Sequence, residues 1–276
     1  MQKLDNIKLL AIDMDGTLVT SKKEVTERTA RALLAAMEKG IEIAIATGRY
    51  TTYLFDLLTP LGITGPAILG NGAAVMDAKK VYFHSLIDEA DLRQISEICL
   101  RERAALFVSV EGYTCCLDND YTMAAARHWA ADRPDNDIMA TLHFYSDPEA
   151  LLKDVIGKTG KLIVMHFEET RARELEQIFR EEGNLGVVYS EFGHIDLANA
   201  GLTKLSGLKM VMDMYGVLPE QVMAFGDGEN DVEMISFAGF GVAMANACPA
   251  AKKAADYIAP SNDQEGVAEA IEKFLL

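Results

Sequence analysis

Short, largely apolar runs recur in this chain, and each gives way to a polar turn at its C-terminal end. Residues 7–12 lead into Asp13, residues 41–46 into Thr47, and residues 222–225 into Gly226 and Asp227. A strand that lacks polar–apolar alternation has to be covered on both faces, which is the habit of a parallel sheet with helices on either side. Helical patterns fill the intervals. Thr26 is placed to cap a helix running to Lys39, with Leu33, Leu34 and Met37 as its apolar stripe and Gly40 after its end. Further helices are expected over 53–58, 202–215, 230–237 and 265–274, and further strands over 66–69 and 241–244. Asn71-Gly72 reads as a hairpin turn returning to Val81–His84. Ligands of such sheets bind beyond the carboxyl ends of the strands. Asp13, Thr47 and Asp227 are therefore expected to share one site.

The rhythm changes after residue 85. Helices are expected over 88–103, 121–131, after Asp147-Pro148-Glu149, and over 170–182. Strands are expected over 106–110, 113–117, 142–145, 162–167 and near 187–189, with Glu111-Gly112 joining the first two and Asp132-Arg133-Pro134-Asp135 breaking the chain. A length of 276 residues accommodates two domains. The expected organisation is a discontinuous α/β domain, 1–85 with 191–276, interrupted by an α+β domain over 86–190 that has its own core.

The chain carries 26 basic and 42 acidic residues, a net charge of −16, which argues against nucleic acid or an anionic membrane as partner. No apolar run reaches the ~18 residues a membrane helix needs, and residues 1–8 are too polar for a signal peptide, so a cytoplasmic location is expected. Cys99, Cys115, Cys116 and Cys248 form no C-x-x-C pair, and reduced thiols are expected. The five histidines are scattered, with no His-Glu-x-x-His and no P-loop. Gly70-Asn71-Gly72 starts like a dinucleotide fingerprint but lacks the third glycine.

Asp13 and Asp15 lie two apart, so in extended chain their side chains leave on the same side. With Asp227 and Asp231 they make an oxygen-rich acidic set, and a phosphate co-ligand would make Mg²⁺ its natural occupant. The calcium-loop pattern does not fit, because Gly16 falls at the fourth position of such a loop and not at the sixth, where its sharp turn requires glycine. A carboxylate can attack phosphorus, which makes Asp13 the candidate nucleophile and Asp15 the candidate acid and then base. Gly16 and Thr17 would offer backbone N–H groups to phosphate oxygens. Thr47 can donate a hydroxyl to the phosphoryl group, or merely cap a helix. Lys204 can neutralise the transferring group, or simply be a solvated helix lysine. With Arg49 it supplies the local cations that an anionic substrate of an acidic protein requires.

These segments resemble the haloacid dehalogenase superfamily. Asp13-Met14-Asp15-Gly16-Thr17-Leu18 is similar to its first motif, Thr47 to the second, Lys204 to the third and Gly226-Asp227 with Asn230-Asp231 to the fourth. Ala46-Thr47-Gly48-Arg49, Asn71-Gly72-Ala73, residues 239–247, Ser261-Asn262 and Glu265-Gly266-Val267 resemble the Cof-type branch more narrowly. The resemblance implies a Rossmann-like core, an inserted type C2 cap and a Mg²⁺-dependent phosphatase acting on small phosphorylated metabolites. It further implies metal contacts from Asp13, the Asp15 carbonyl and Asp227 with Asp231 in support, and substrate contacts from Thr47, Gly48, Arg49, Lys204 and Asn230. The family places a glycine after the third-motif lysine, and this chain has Leu205. A phosphomutase using the same aspartate and a non-enzymatic sensor are the alternative functions. Arg127, His128 and Trp129 in the middle segment are read as ordinary helix residues. The specific metabolite and the oligomeric state are not encoded in these patterns.

Overall fold

In the computed structural model, residues 3–50, 54–110, 113–131, 141–189 and 193–276 are described here. The chain divides into two compact units, Met1–Arg49 with Tyr53–Phe83 and Thr203–Leu276, and Tyr50–Thr52 with His84–Leu202. The second crossing falls between Leu202 and Thr203, later than the expected 190/191. The segment responsible is His194–Asn199, a strand of the second unit's sheet that the hydropathy pattern did not signal.

The first unit is built on an eight-stranded sheet. In chain order its strands are β1 (Leu9–Asp13), β2 (Glu42–Ala46), β3 (Ala67–Leu69), β4 (Ala74–Met76), β5 (Val81–His84), then β12 (Val222–Gly226), β13 (Phe240–Met244) and β14 (Tyr257–Ala259). Their order across the sheet is β14-β13-β12-β1-β2-β3-β4-β5. From β14 to β3 every pairing is parallel, as the continuous apolar runs required. β1 is buried at all five positions and lies between β12 and β2. The connections on its two sides therefore leave in opposite directions, and a crevice opens at its carboxyl end. Asp13 pairs with Ala46 and Ile12 with Phe225, so Asp13, Thr47 and Asp227 emerge level with one another.

Two local expectations are corrected. β3 turns back antiparallel onto β4, with Leu69 opposite Ala74, so Val81–His84 is the next strand out and not the hairpin partner. The turn between them is a tight 3-10 turn over Gly70–Gly72, and its short reach selects the strand that follows at once. Helix α1 (Glu27–Glu38) is capped by Thr26, whose side chain accepts from the Thr29 amide, but its buried face is Thr29, Ala32, Leu33 and Ala36. Leu34 is exposed. Leu33 and the small alanines pack inward, while Met37 is only half-buried.

Helix α7 (Lys204–Tyr215) carries Leu208, Val211 and Met212 into a core with Leu9, Ala44, Ile68 and Ala224. Gly207 sets how near it comes: a Cβ there would lie 2.3 Å from Ile68 Cγ2. Helices at Val232–Phe237, Pro249–Ala254 and Gly266–Phe274 complete this unit's C-terminal part. The Pro249–Ala254 helix and β14 had no signal strong enough to be read from the sequence.

The second unit has a six-stranded sheet, ordered β10 (Leu185–Tyr189), β11 (His194–Asn199), β9 (Lys161–Met165), β6 (Ala105–Val110), β7 (Tyr113–Leu117) and β8 (Leu142–Tyr145). Only the β7–β8 pairing is parallel. The helices Glu89–Glu102, Pro148–Val155 and Glu169–Glu182 cover one face through Leu92, Leu151, Leu175 and Phe179, and Asp120–Ala131 packs on the other through Ala125 and Ala126. Adjacent Cys115 and Cys116 belong to the cores of opposite faces, and both are free thiols. Glu111-Gly112, the break at 132–135 and the side chain of Trp129 lie outside the described residues. His128 meets Phe167 edge-on, with ring centroids 6.0 Å apart. Among the described residues no helix is long and apolar enough to cross a membrane.

Candidate active site

Asp13 is the last residue of β1 and is buried, as are Lys204 and Asp231. Lys204 is the first residue of α7. A reciprocal cap holds that helix end in place: Thr203 Oγ1 accepts from the Ser206 amide at 3.2 Å, and Ser206 Oγ accepts from the Thr203 amide at 2.9 Å. The lysine Nζ therefore reaches two carboxylates, donating to Asp13 Oδ1 at 2.5 Å and to Asp231 Oδ1 at 2.6 Å. The other Asp231 oxygen accepts the amides of Asp227 (2.9 Å) and Gly228 (2.8 Å), which ties the loop after β12 to the same lysine. Leu205, where the family places glycine, packs against the α7 core. In this chain the close approach of helix to sheet is made two residues later, at Gly207.

Asp227 accepts a hydrogen bond from Thr17 Oγ1 at 2.8 Å. Gly16 makes room for it: with φ +78°, a Cβ at Gly16 would lie 2.3 Å from Asp227 Oδ2. Asp13, Asp227 and Asp231 each offer an oxygen, and these three atoms lie within 4.8 Å of one another. Burial pushes the Asp13 carboxyl well above its ordinary value; Lys204 opposes this, while Asp231 and Asp227 add to it. Asp227 is also raised, by burial first and by Asp231. Burial works against the Lys204 charge, but Asp13 and Asp231 outweigh it and move the ammonium above its usual range. One buried ammonium thus faces three carboxylates. Such a set of hard oxygen donors with surplus negative charge fits a hard divalent cation such as Mg²⁺.

The Asp15 carboxylate is not one of those three. Arg49 holds it in a two-point pair, Nε to Oδ2 and Nη2 to Oδ1, both at 2.6 Å, and Lys23 Nζ donates to Oδ1 at 2.8 Å. Burial pushes Asp15 upward, yet these two cations overcome it and hold the group at about 2. In this arrangement Asp15 is an ionised partner of Arg49.

Thr47 is buried at the end of β2, where its amide donates to the Ile68 carbonyl and its hydroxyl accepts from the Arg49 amide at 3.1 Å. This is a local turn; residues 48–50 that follow it are not helical, so helix capping does not account for Thr47. Asn230 Nδ2 donates to Asn71 Oδ1 at 2.9 Å, which brings the loop after β12 to the loop after β3. Asn71 has a left-handed backbone, φ 56° and ψ 38°, and its amide donates to the Thr47 carbonyl. Gly48 lies beside the Asn71 side chain, where an added Cβ would be 3.4 Å from Oδ1. Three groups at this locus had escaped the sequence reading: the Asn71 side chain, hidden by the turn-like Gly-Asn-Gly; Lys23, one of two adjacent polar lysines; and the Thr17 hydroxyl, whose backbone alone had been considered.

Comparison with known proteins gives a consistent picture. A model of the haloacid dehalogenase-like hydrolases matches residues 10–271. The 5-amino-6-(5-phospho-D-ribitylamino)uracil phosphatase YcsE of Bacillus subtilis is 28% identical over 272 residues, a match covering 98% of this chain and 97% of that protein. The chloroplastic endoribonuclease YBEY of Arabidopsis thaliana is 30% identical over 275 residues; the match covers 95% of this chain but only 45% of that longer protein. A crystal structure of a haloacid dehalogenase-like hydrolase from Bacteroides thetaiotaomicron superposes with a TM-score of 0.84 at 29% identity, covering 97% of this chain and 99% of that one.

Proposed function

The chain belongs to the haloacid dehalogenase-like hydrolases and is a phosphoric monoester hydrolase of that family; from this premise we propose that it is a Mg²⁺-dependent phosphatase of small phosphorylated metabolites that works through Asp13. The observation that carries the reading is the convergence of Asp13, Lys204, Asp231 and Asp227, from β1, α7 and the loop after β12, within hydrogen-bonding and ligating distance.

An Asp13 oxygen bonds to phosphorus as the ester P–O bond breaks, giving an aspartyl-phosphate and a leaving alkoxide. Asp15 delivers a proton to that alkoxide, then takes one from the water that attacks phosphorus, and Asp13 leaves as a carboxylate. Asp15 serves as an acid only once Arg49 and Lys23 let go of it and the freed carboxylate takes up a proton from solvent, which the attacking water restores at the end of each turnover. A phosphoryl dianion competes directly for the Arg49 guanidinium, so substrate binding supplies the release. Thr47 and Asn230 donate to phosphoryl oxygens, and Gly48 allows close approach of the loop. Lys204 neutralises charge on Asp13 and on the transferring group. Asp13, the Asp15 carbonyl and Asp227, supported by Asp231, would hold Mg²⁺, which would draw negative charge from the phosphoryl group and lessen its repulsion from the carboxylates. The unit inserted between Phe83 and Thr203 takes the part of the family's cap and selects the leaving group. The net charge of −16 disfavours a polyanionic nucleic acid as substrate.

Release of inorganic phosphate from a panel of sugar, ribitylaminopyrimidine, pyridoxal and nucleoside monophosphates is the test. Turnover is expected for at least one ester, with Asp13→Asn or EDTA abolishing it and Mg²⁺ restoring the EDTA-treated enzyme. Undiminished release by Asp13→Asn refutes the assignment.

A further inference from the structure

Two segments stood out in the sequence, 239–247 and 261–267, and neither enters the chemistry above. Both end on the loop that follows β1. Asn246 Nδ2 donates to the Gly16 carbonyl at 2.8 Å, and Asn246 Oδ1 accepts the Asn262 amide at 3.1 Å. Asn262 Nδ2 donates in turn to the Val19 carbonyl at 2.9 Å. Beside them Asp263 Oδ1 accepts the Ser21 amide at 2.7 Å. The contacts form a relay: two asparagine side chains, each in contact with a distant stretch of main chain.

The loop they hold also bonds within itself. Its amides at Leu18 and Val19 return to the carbonyls of Asp13 and Met14, at 3.1 and 3.0 Å. The Gly16 and Val19 carbonyls, one on each side of Thr17, are the two that the asparagines take. Asp15 precedes the first of them, and the Thr17 hydroxyl meets Asp227. Gly16 adopts a left-handed conformation with no room for a Cβ beside Asp227, so rotating its peptide would displace Thr17 and the Asp227 contact together.

We propose that Asn246 and Asn262 are positioning residues for phosphoryl transfer, a relay from the C-terminal part of the first unit that fixes Asp15 and Thr17 through the carbonyls of Gly16 and Val19. The inference rests on the phosphatase reading. Asparagine suits the task because one short amide presents a donor and an acceptor in a fixed plane. Aspartate at 246 keeps the shape and the acceptor but loses the donor, and it sets an anion against the Gly16 carbonyl oxygen.

The test measures kcat, KM and thermal unfolding of Asn246→Asp and Asn262→Ala on the ester that the wild type turns over best. Misplacing a catalytic group by an ångström costs up to about a hundredfold, so kcat is expected to fall by about tenfold to a hundredfold. KM should stay near the wild-type value, and the melting temperature within a few degrees of it. Amide hydrogen exchange at Leu18 and Val19 should quicken in both variants. Asn262→Ala removes only the donation to Val19 and carries the test if Asn246→Asp does not fold. An unchanged kcat in folded variants, or a loss matching the unfolded fraction alone, overturns the relay and leaves the phosphatase reading standing. A wild type that releases no phosphate overturns both.

Discussion

Lys204 and Asp15 show how far a residue's meaning depends on its surroundings. In the sequence Lys204 stands near the start of a helix and is as compatible with solvent as with a site. In the fold it is buried with two carboxylates on its ammonium, at 2.5 and 2.6 Å, and a lone buried ammonium would be untenable. Asp15 is the opposite case. The pattern Asp-x-Asp marks it as an acid–base group, and the structure clamps it to Arg49 and Lys23. Its folded-state value is depressed to about 2. Stability from this clamp is therefore in place above the unfolded carboxylate's value of about 3.9, and is lost as pH falls towards about 2. A carboxyl-detected NMR titration is expected to find Asp15 turning over near 2 in the wild type and moving upward in Arg49→Gln. A wild-type midpoint near 4 would show the pair absent in solution.

At the level of elements, the placement of α7 decides whether Lys204 reaches Asp13. Its apolar residues ensure that it packs on the sheet, but Gly207 sets the distance. Replacing this glycine by alanine improves intrinsic helix propensity by about 1 kcal/mol. The new methyl would overlap Ile68 Cγ2, and overpacking a close-packed contact costs about 1–3 kcal/mol. The overlap wins, because the Ile68 side chain is fully buried and the new methyl would also lie 3.2 Å from its Cγ1 and 3.3 Å from its Cβ. Gly207→Ala is expected to be destabilised in urea unfolding and to lose activity as Lys204 is pushed back. A variant as stable and active as wild type would mean that the helix is free to shift. Among strands, β1, β2 and β12 were legible because burial on both faces writes itself as a largely apolar run without polar–apolar alternation. β4, β11 and β14 were not. β4 and β14 have three residues each, and β11 mixes buried Ile195 and Leu197 with His194, Asp196 and Asn199.

For the whole molecule, the acidic balance of −16 concentrates at one place into three carboxylates opposed by one lysine. A ligand that binds only the folded form stabilises it, by about 2.7 kcal/mol at a hundredfold excess over its Kd. Mg²⁺ is accordingly expected to raise the unfolding temperature of the first unit, with hydrogen exchange assigning the protected strands to β1 and β12. Asp227→Asn should abolish most of that rise. Equal stabilisation of the wild type and Asp227→Asn would place the ion elsewhere.

The sequence by itself determined the parallel α/β character, the insertion of a second unit and the identity of the acidic and basic groups, because hydrophobic periodicity and short motifs are local properties. It could not determine where β11 and the second crossing lie, that Asp15 is bound to Arg49, or that Asn246 and Asn262 grip the loop after β1. Those depend on hydrogen bonds between residues far apart in the chain, and only the assembled sheet brings such residues within reach of one another.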